Sequence, residues 1–155
     1  MNPFTAIATL PDEGESMYTL GPHMTVKLSS AATNGLYFLA VEETPSGIGP
    51  PLHVHHRQDE IFHVLEGHYR FQVGSQSIDA PTGTTAAVPR GTPHAFVNVS
   101  DTPSRLLFVL SPGLDAEGFF RALSQLPQTS HPEPAELARI AAGHATEFVG
   151  PPLSR

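Results

Sequence analysis

The sequence predicts an all-β body followed by two α-helices, on three observations. Sixteen prolines and thirteen glycines break the 155 residues into short elements, a composition that suits strands and turns better than a helix bundle. Between about residues 24 and 112 the apolar residues alternate or form short continuous runs, as half-buried and fully buried strands do. After Pro112 the apolar period lengthens to that of an amphipathic helix. The length supports one domain with a real core, and no linker-like stretch divides it. The expected layout is therefore a single domain over 1–155, with a β-core at about 24–112 and a helical extension at about 113–155.

Residues 1–20 are rich in turn formers and read as an arm over the body. Met24–Ser30 alternates loosely and is expected as a strand. Gly35–Glu42 (GLYFLAVE) is a stronger one, because aromatic and branched residues favour the pleated backbone. Thr44–Pro51 holds three prolines and two glycines and reads as a loop. Glu60–Glu66 and His68–Val73 form an expected hairpin through Gly67; in the second strand Tyr69, Phe71 and Val73 share one face. Thr85–Val88 and Ala95–Val99 are short strands around the turn Pro89–Pro93, and Arg105–Leu110 (RLLFVL) has the continuous apolar character of a buried strand. Asp115 is an expected helix cap, with Leu114 and Phe119 at staple positions and Phe119, Phe120, Leu123 and Leu126 forming one stripe. A second helix is expected at about Pro134–Ala142, with Ser130 and Glu133 at capping-box spacing. The tail Phe148–Leu153 (FVGPPL) cannot be helical through its prolines.

Charge and composition exclude several function classes. The formal charge is −7, with one lysine, Lys27, and seven scattered arginines. Nucleic-acid binding wants a basic stripe, and an anionic membrane surface wants a basic patch; neither is present. No run of about 18 apolar residues exists to span a membrane. The first sixteen residues lack the basic and apolar regions of a secretion signal. Zero cysteines exclude disulfides and thiolate chemistry and fit a reducing compartment, so a cytoplasmic location is expected.

Two segments carry the chemistry. The first runs from Gly47 through five residues to His53-Val54-His55, then four residues to Glu60 and six to Gly67. The second runs from Gly83 through five residues to Pro89-Arg90-Gly91-Thr92-Pro93-His94, then three residues to Asn98. Residues two apart on a strand point to one face, about 7 Å apart, so His53 and His55 can converge on one ion. Glu60 opens the next strand and can turn back toward them. His94 comes from a distant strand, and a closed or sandwiched sheet is needed to bring it in. Three imidazole nitrogens and one carboxylate oxygen suit Mn, Fe, Co, Ni, Cu or Zn better than Ca or Mg. His63 has odd parity relative to Glu60 and should point away; Asp59 should face the other way as well. An isolated HxH pair is a common accident in a chain with nine histidines; it is the joint pattern, with both glycine frames, that argues for a site.

Both segments resemble the two motifs of the cupin superfamily, with no departure in spacing, over positions 47–67 and 83–98. The resemblance implies a double-stranded β-helix, or jelly roll, with the two C-terminal helices packed outside it. It also implies that His53, His55, Glu60 and His94 hold one divalent first-row metal. The single-domain layout, the Gly118–Phe120 helix and the Gly150–Leu153 tail resemble the quercetin 2,3-dioxygenase-like cupins of bacteria. That implies a dioxygenase acting on a small planar aromatic or enolisable substrate with O₂, and Glu60 serving as ligand and catalytic proton acceptor. Phe62, Val64, Tyr69, Phe71 and Phe96 are the expected substrate pocket, an apolar lining that suits such a molecule. A homodimer is expected from the resemblance and from edge strands that need cover. Two alternatives remain: a non-catalytic small-molecule binder, and a sugar isomerase or epimerase. The second would need a phosphate-binding cluster, for which Arg57, Arg70 and Arg90 are the candidates.

Overall fold

The computed structural model describes residues 4–128 and 133–155. Its strands are β1 (Glu15–Tyr18), β2 (His23–Leu28), β3 (Phe38–Thr44), β4 (Pro51–His55), β5 (Asp59–Glu66), β6 (His68–Val73), β7 (Gln76–Pro81), β8 (Thr85–Val88), β9 (His94–Asn98) and β10 (Ser104–Ser111). Helices α1 (Ala116–Ser124) and α2 (Pro134–Gly143) follow, and the strand β11 (Thr146–Pro152) comes after them. The strands form two sheets, in the orders β1-β2-β3-β10-β5-β8 and β11-β4-β9-β6-β7, with antiparallel pairing throughout. This is the jelly roll that the motifs led us to expect, with two helices beside it.

Period-two alternation builds the interior. On β3, Phe38, Ala40, Glu42 and Thr44 are buried; on β10, Ser104, Leu106, Phe108 and Leu110 are. Aromatic rings from the two sheets meet edge-on and tilted: Phe62 of β5 lies 5.2 Å from Phe71 of β6 and 5.6 Å from Phe96 of β9. Each such ring contributes about 1.5–3 kcal/mol through burial. The hairpin turn at Gly67 has φ +87°, and a Cβ there would collide with the Ser104 side chain, so only glycine fits.

The helices build a second apolar cluster from Phe119, Leu123, Leu126, Leu137, Ile140 and Ala141. Phe120 joins the two cores: its ring stacks on Phe38 at 5.4 Å and meets Phe108 at 5.6 Å, while Phe119 touches it at 5.2 Å. At the helix starts the structure differs from expectation. Asp115 is the N-cap of α1 but makes no side-chain cap bond. Glu133 is the N-cap of α2, again without one, and Pro134 supplies a preset φ at the first position. Ser130, the other half of the expected capping box, lies outside the described residues.

Strands also reach beyond the expected core of 24–112. β1 belongs to the segment read as an arm, and an ion pair between Glu15 and Arg121 (2.7 Å) ties it to α1. β7 completes a hairpin with β6. β11 extends along the outer edge of β4, pairing Thr146 with His55 and Phe148 with His53. Prolines 151 and 152 forbid a helix there, yet an edge strand tolerates them because one side of its backbone needs no partner. Among the described residues, no helix is long and apolar enough to cross a membrane.

Candidate metal centre and its cavity

β4 carries His53 and His55 on one face, and β9 opens on His94, which pairs directly with His53 in the ladder. β5 brings in Glu60. All four are buried, and one donor atom from each lies within 4.8 Å of the others, a spacing that bonds of about 2.0–2.2 Å to a common centre can use. His94 Nε2 is 2.8 Å from Glu60 Oε2, and His55 Nε2 is 3.3 Å from the same oxygen.

The opposite ring nitrogens are all engaged. His53 Nδ1–H donates to the Pro51 carbonyl at 2.8 Å, and His94 Nδ1–H to the Thr92 carbonyl at 2.9 Å. His55 Nδ1 meets Thr146 Oγ1 at 3.0 Å. Thr146 gives its own proton to the His144 carbonyl at 3.3 Å, so His55 is the donor in that pair. A carbonyl or hydroxyl acceptor on Nδ1 fixes the tautomer that leaves Nε2 free to ligate. The donor set and its orientation thus fit a first-row divalent ion.

Electrostatics follow the same geometry. Burial opposes ionisation of Glu60, but hydrogen bonds and charge from His55 and His94 outweigh it and hold the carboxyl well below the ordinary range. Burial pushes His53 down to about 3, and the neighbouring His94 and His55 add to that, so its lone pair is available at neutral pH. Burial works against a charge on His94, and the hydrogen bond to Glu60 reverses the balance and raises it.

Surrounding contacts hold the ligands in place. Asp59 takes both Arg90 Nη2 (2.8 Å) and the Arg90 backbone N–H (2.9 Å), fastening the start of β5 to the turn that leads into His94. Gly91 N–H donates to the His55 carbonyl at 2.8 Å. His63 points away as expected and bonds Thr85 Oγ1 at 2.8 Å. Gly49 passes so close to the Phe96 carbonyl that a Cβ would collide with it.

His53, His55 and Glu60 of the cluster line a cavity of about 470 Å³, and His94 stands outside its lining. Phe62 and Phe96 line it, as expected for the substrate pocket. Val64, Tyr69 and Phe71 do not; they are 0–1% exposed in the barrel core, and that part of the expected pocket is corrected. Their parity along the strands is inward, but they lie among the core side chains rather than along the cavity wall. Instead Phe119, Phe120, Leu123 and Leu137 of the helices and Phe148 of β11 complete the wall, together with Glu42 of β3. Arg57, Arg70 and Arg90 are absent from this lining, and none of its described residues is lysine or arginine.

Comparison with known proteins agrees with this site. The family model for the cupin domain matches residues 40–110, a span that contains all four clustered side chains.

Over this span the chain has the cupin fold.

Solved structures similar to this chain include KdgF from Halomonas sp., with a TM-score of 0.65 and 18% identity over 73% of this chain and 99% of that one. A sugar phosphate isomerase of the cupin superfamily from Silicibacter pomeroyi gives 0.59 and 23% identity, over 66% of this chain and 74% of that one. In sequence, an uncharacterized protein of Methanocaldococcus jannaschii is 30% identical over 69 residues, 44% of this chain. The match spans 55% of that protein's length.

Proposed function

We propose that this protein is a metal-dependent dioxygenase acting on a small planar aromatic or enolisable molecule, of the type its motifs and layout resemble. The supporting observation is the cavity: an aromatic chamber lined by His53, His55 and Glu60 of the buried His/Glu cluster. His53, His55, Glu60 and His94 would hold the ion, Fe, Mn, Ni, Co, Cu or Zn. Such an ion would supply Lewis acidity, which lowers the pKa of a bound enol or phenol hydroxyl, and, for every metal of this list except Zn, a redox path between substrate and O₂. Glu60 takes the hydroxyl proton on its carboxylate, which its histidine neighbours keep ionised. Phe62, Phe96 and the helix phenylalanines hold a flat ring and keep water from the reacting atoms.

Beyond the metal itself, the phosphate of a sugar phosphate finds no lysine or arginine in the described lining. Arg90 is paired with Asp59, Arg70 bonds the Ser154 carbonyl, and Arg57 borders a separate depression. An oxygen electrode tests the dioxygenase reading. Protein loaded with Fe, Mn, Ni or Co should consume O₂ with flavonols or related enolisable aromatics. Glu60→Gln should cut turnover about 10²-fold or more, the usual scale of a positioned base. No consumption by any metal form across flavonols, diketones and catechols would leave a binding protein.

A further inference from the structure

Outside the metal cluster the cavity lining includes two carboxyl side chains, Glu133, exposed at the start of α2, and a buried one that packing does not account for. Glu42 lies on the inward face of β3 between Ala40 and Thr44, and is 8% exposed. Its ladder neighbours are Met24 on β2 and Leu106 on β10, both fully buried and apolar. A buried carboxyl without a cation costs several kcal/mol, and an aliphatic residue would meet the packing requirement there.

Its hydrogen bonding is half complete. Tyr69 Oη–H donates to Thr44 Oγ1 at 3.1 Å, and Thr44 passes its own proton to Glu42 Oε1 at 2.9 Å. Glu42 Oε2 has no partner among the described residues. No enclosed polar side-chain atom lacks one, so this oxygen is open to the cavity that Glu42 lines. Glu117, the other buried carboxylate outside the metal cluster, contrasts with it: one oxygen takes the Ser30 backbone N–H and hydroxyl, and the other takes the Ala31 N–H. Glu117 is fully used in holding a loop; Glu42 is not.

We propose that Glu42 selects the ligand, its open carboxyl oxygen accepting a hydrogen bond from a second hydroxyl of the bound molecule, distinct from the group presented to the His/Glu cluster. The proposal rests on the reading of this cavity as the substrate site and specifies what that substrate carries. The absence of lysine and arginine from the described lining points to a neutral ligand. Burial holds the Glu42 carboxyl up to about 7, against the Thr44 hydrogen bond and with a smaller push from the charge on Glu60; its ionised form is the acceptor, Oε1 for Thr44 and Oε2 for the ligand. A site built to bond a hydroxyl discriminates strongly against the analogue that lacks it, because the buried acceptor is then left unpaired.

The test uses the Zn²⁺-loaded full chain and two probes, resorcinol and 3-methoxyphenol. Each keeps one hydroxyl for the metal cluster; the second caps the other hydroxyl. By ligand-observed NMR titration the wild type should bind resorcinol about tenfold tighter or more. Glu42→Leu and Glu42→Gln should both bring the ratio close to one: in the glutamine the amide oxygen takes the Thr44 proton and the NH2, which cannot accept, faces the cavity. A ratio near one in the wild type, or an unchanged ratio in Glu42→Leu, overturns the proposal. Should Glu42→Leu fail to fold, ¹³C-labelled wild type decides: the Glu42 carboxyl signal should move with resorcinol and not with 3-methoxyphenol, and equal movement refutes the role. These ratios involve no O₂, so failure of the dioxygenase reading is distinguishable from failure of this one.

Discussion

His53 and His94 are direct partners across the β4–β9 ladder, with ring centroids 4.3 Å apart. Two candidate ligands distant in sequence thus share one rung of a sheet. Register and metal chemistry are therefore linked: a slip of one residue would turn either imidazole to the far side of the sheet.

The cluster should carry close to one equivalent of a first-row divalent ion per chain. Replacing His53, His55 or His94 by Ala should each reduce loading sharply, because three donors cannot complete the site. His63→Ala should leave loading unchanged, since that ring faces Thr85. Elemental analysis of the purified variants reads the result directly, and unchanged metal in His94→Ala would remove that residue from the site.

Thr146→Val removes the acceptor for His55 Nδ1–H while keeping the shape of the side chain. Loss of such an orienting partner typically costs 10–100-fold in metal affinity. Competition against a chelator should show a drop of that size, with little change in the melting temperature of the metal-free protein.

Glu42 sets a pH dependence of stability. Its carboxyl titrates at about 7 in the fold against an ordinary value of 4.5, chiefly because it is buried. The folded state therefore holds the proton more tightly than the unfolded one. The stabilisation is complete below pH 4.5 and is lost as pH rises through 7, a change of about 3 kcal/mol at most. Between pH 5 and pH 8 the wild type should lose stability relative to Glu42→Gln in denaturant titrations. Parallel curves for the two proteins would show that Glu42 is ionised throughout.

Phe120→Ala should destabilise by about 2–3 kcal/mol, somewhat below the 3–5 for a fully buried phenylalanine, because this ring is half-buried. It touches both apolar clusters, so calorimetry should show the barrel and helices melting less cooperatively. A single sharp transition at the wild-type temperature would mean that the helices are accessory.

The four clustered side chains were legible in the sequence because their spacing is local and repeats at the strand period. His53-x-His55 and the run from Pro89 to His94 each fall within one strand or turn. The pocket was half legible. Parity identifies Val64, Tyr69 and Phe71 as inward, but it says nothing about depth along the barrel, and depth separates them from Phe62 and Phe96. Glu42 shares its parity with Phe38 and Ala40, so the alternation of GLYFLAVE carried a signal for it. Thr146 and Phe148 carried none. The prolines after them exclude a helix without specifying which edge the strand joins, and that choice is made by long-range pairing with β4.

The place of β11 also separates what would bind from what would select. The four clustered side chains lie between residues 53 and 94, but the hydroxyl that holds His55 and the ring beside His53 come at residues 146 and 148. A chain cut before β11 would keep the whole donor set and lose the partners that orient two of its members. Any choice among ions would in that case rest on an edge strand far along the chain from the donors themselves.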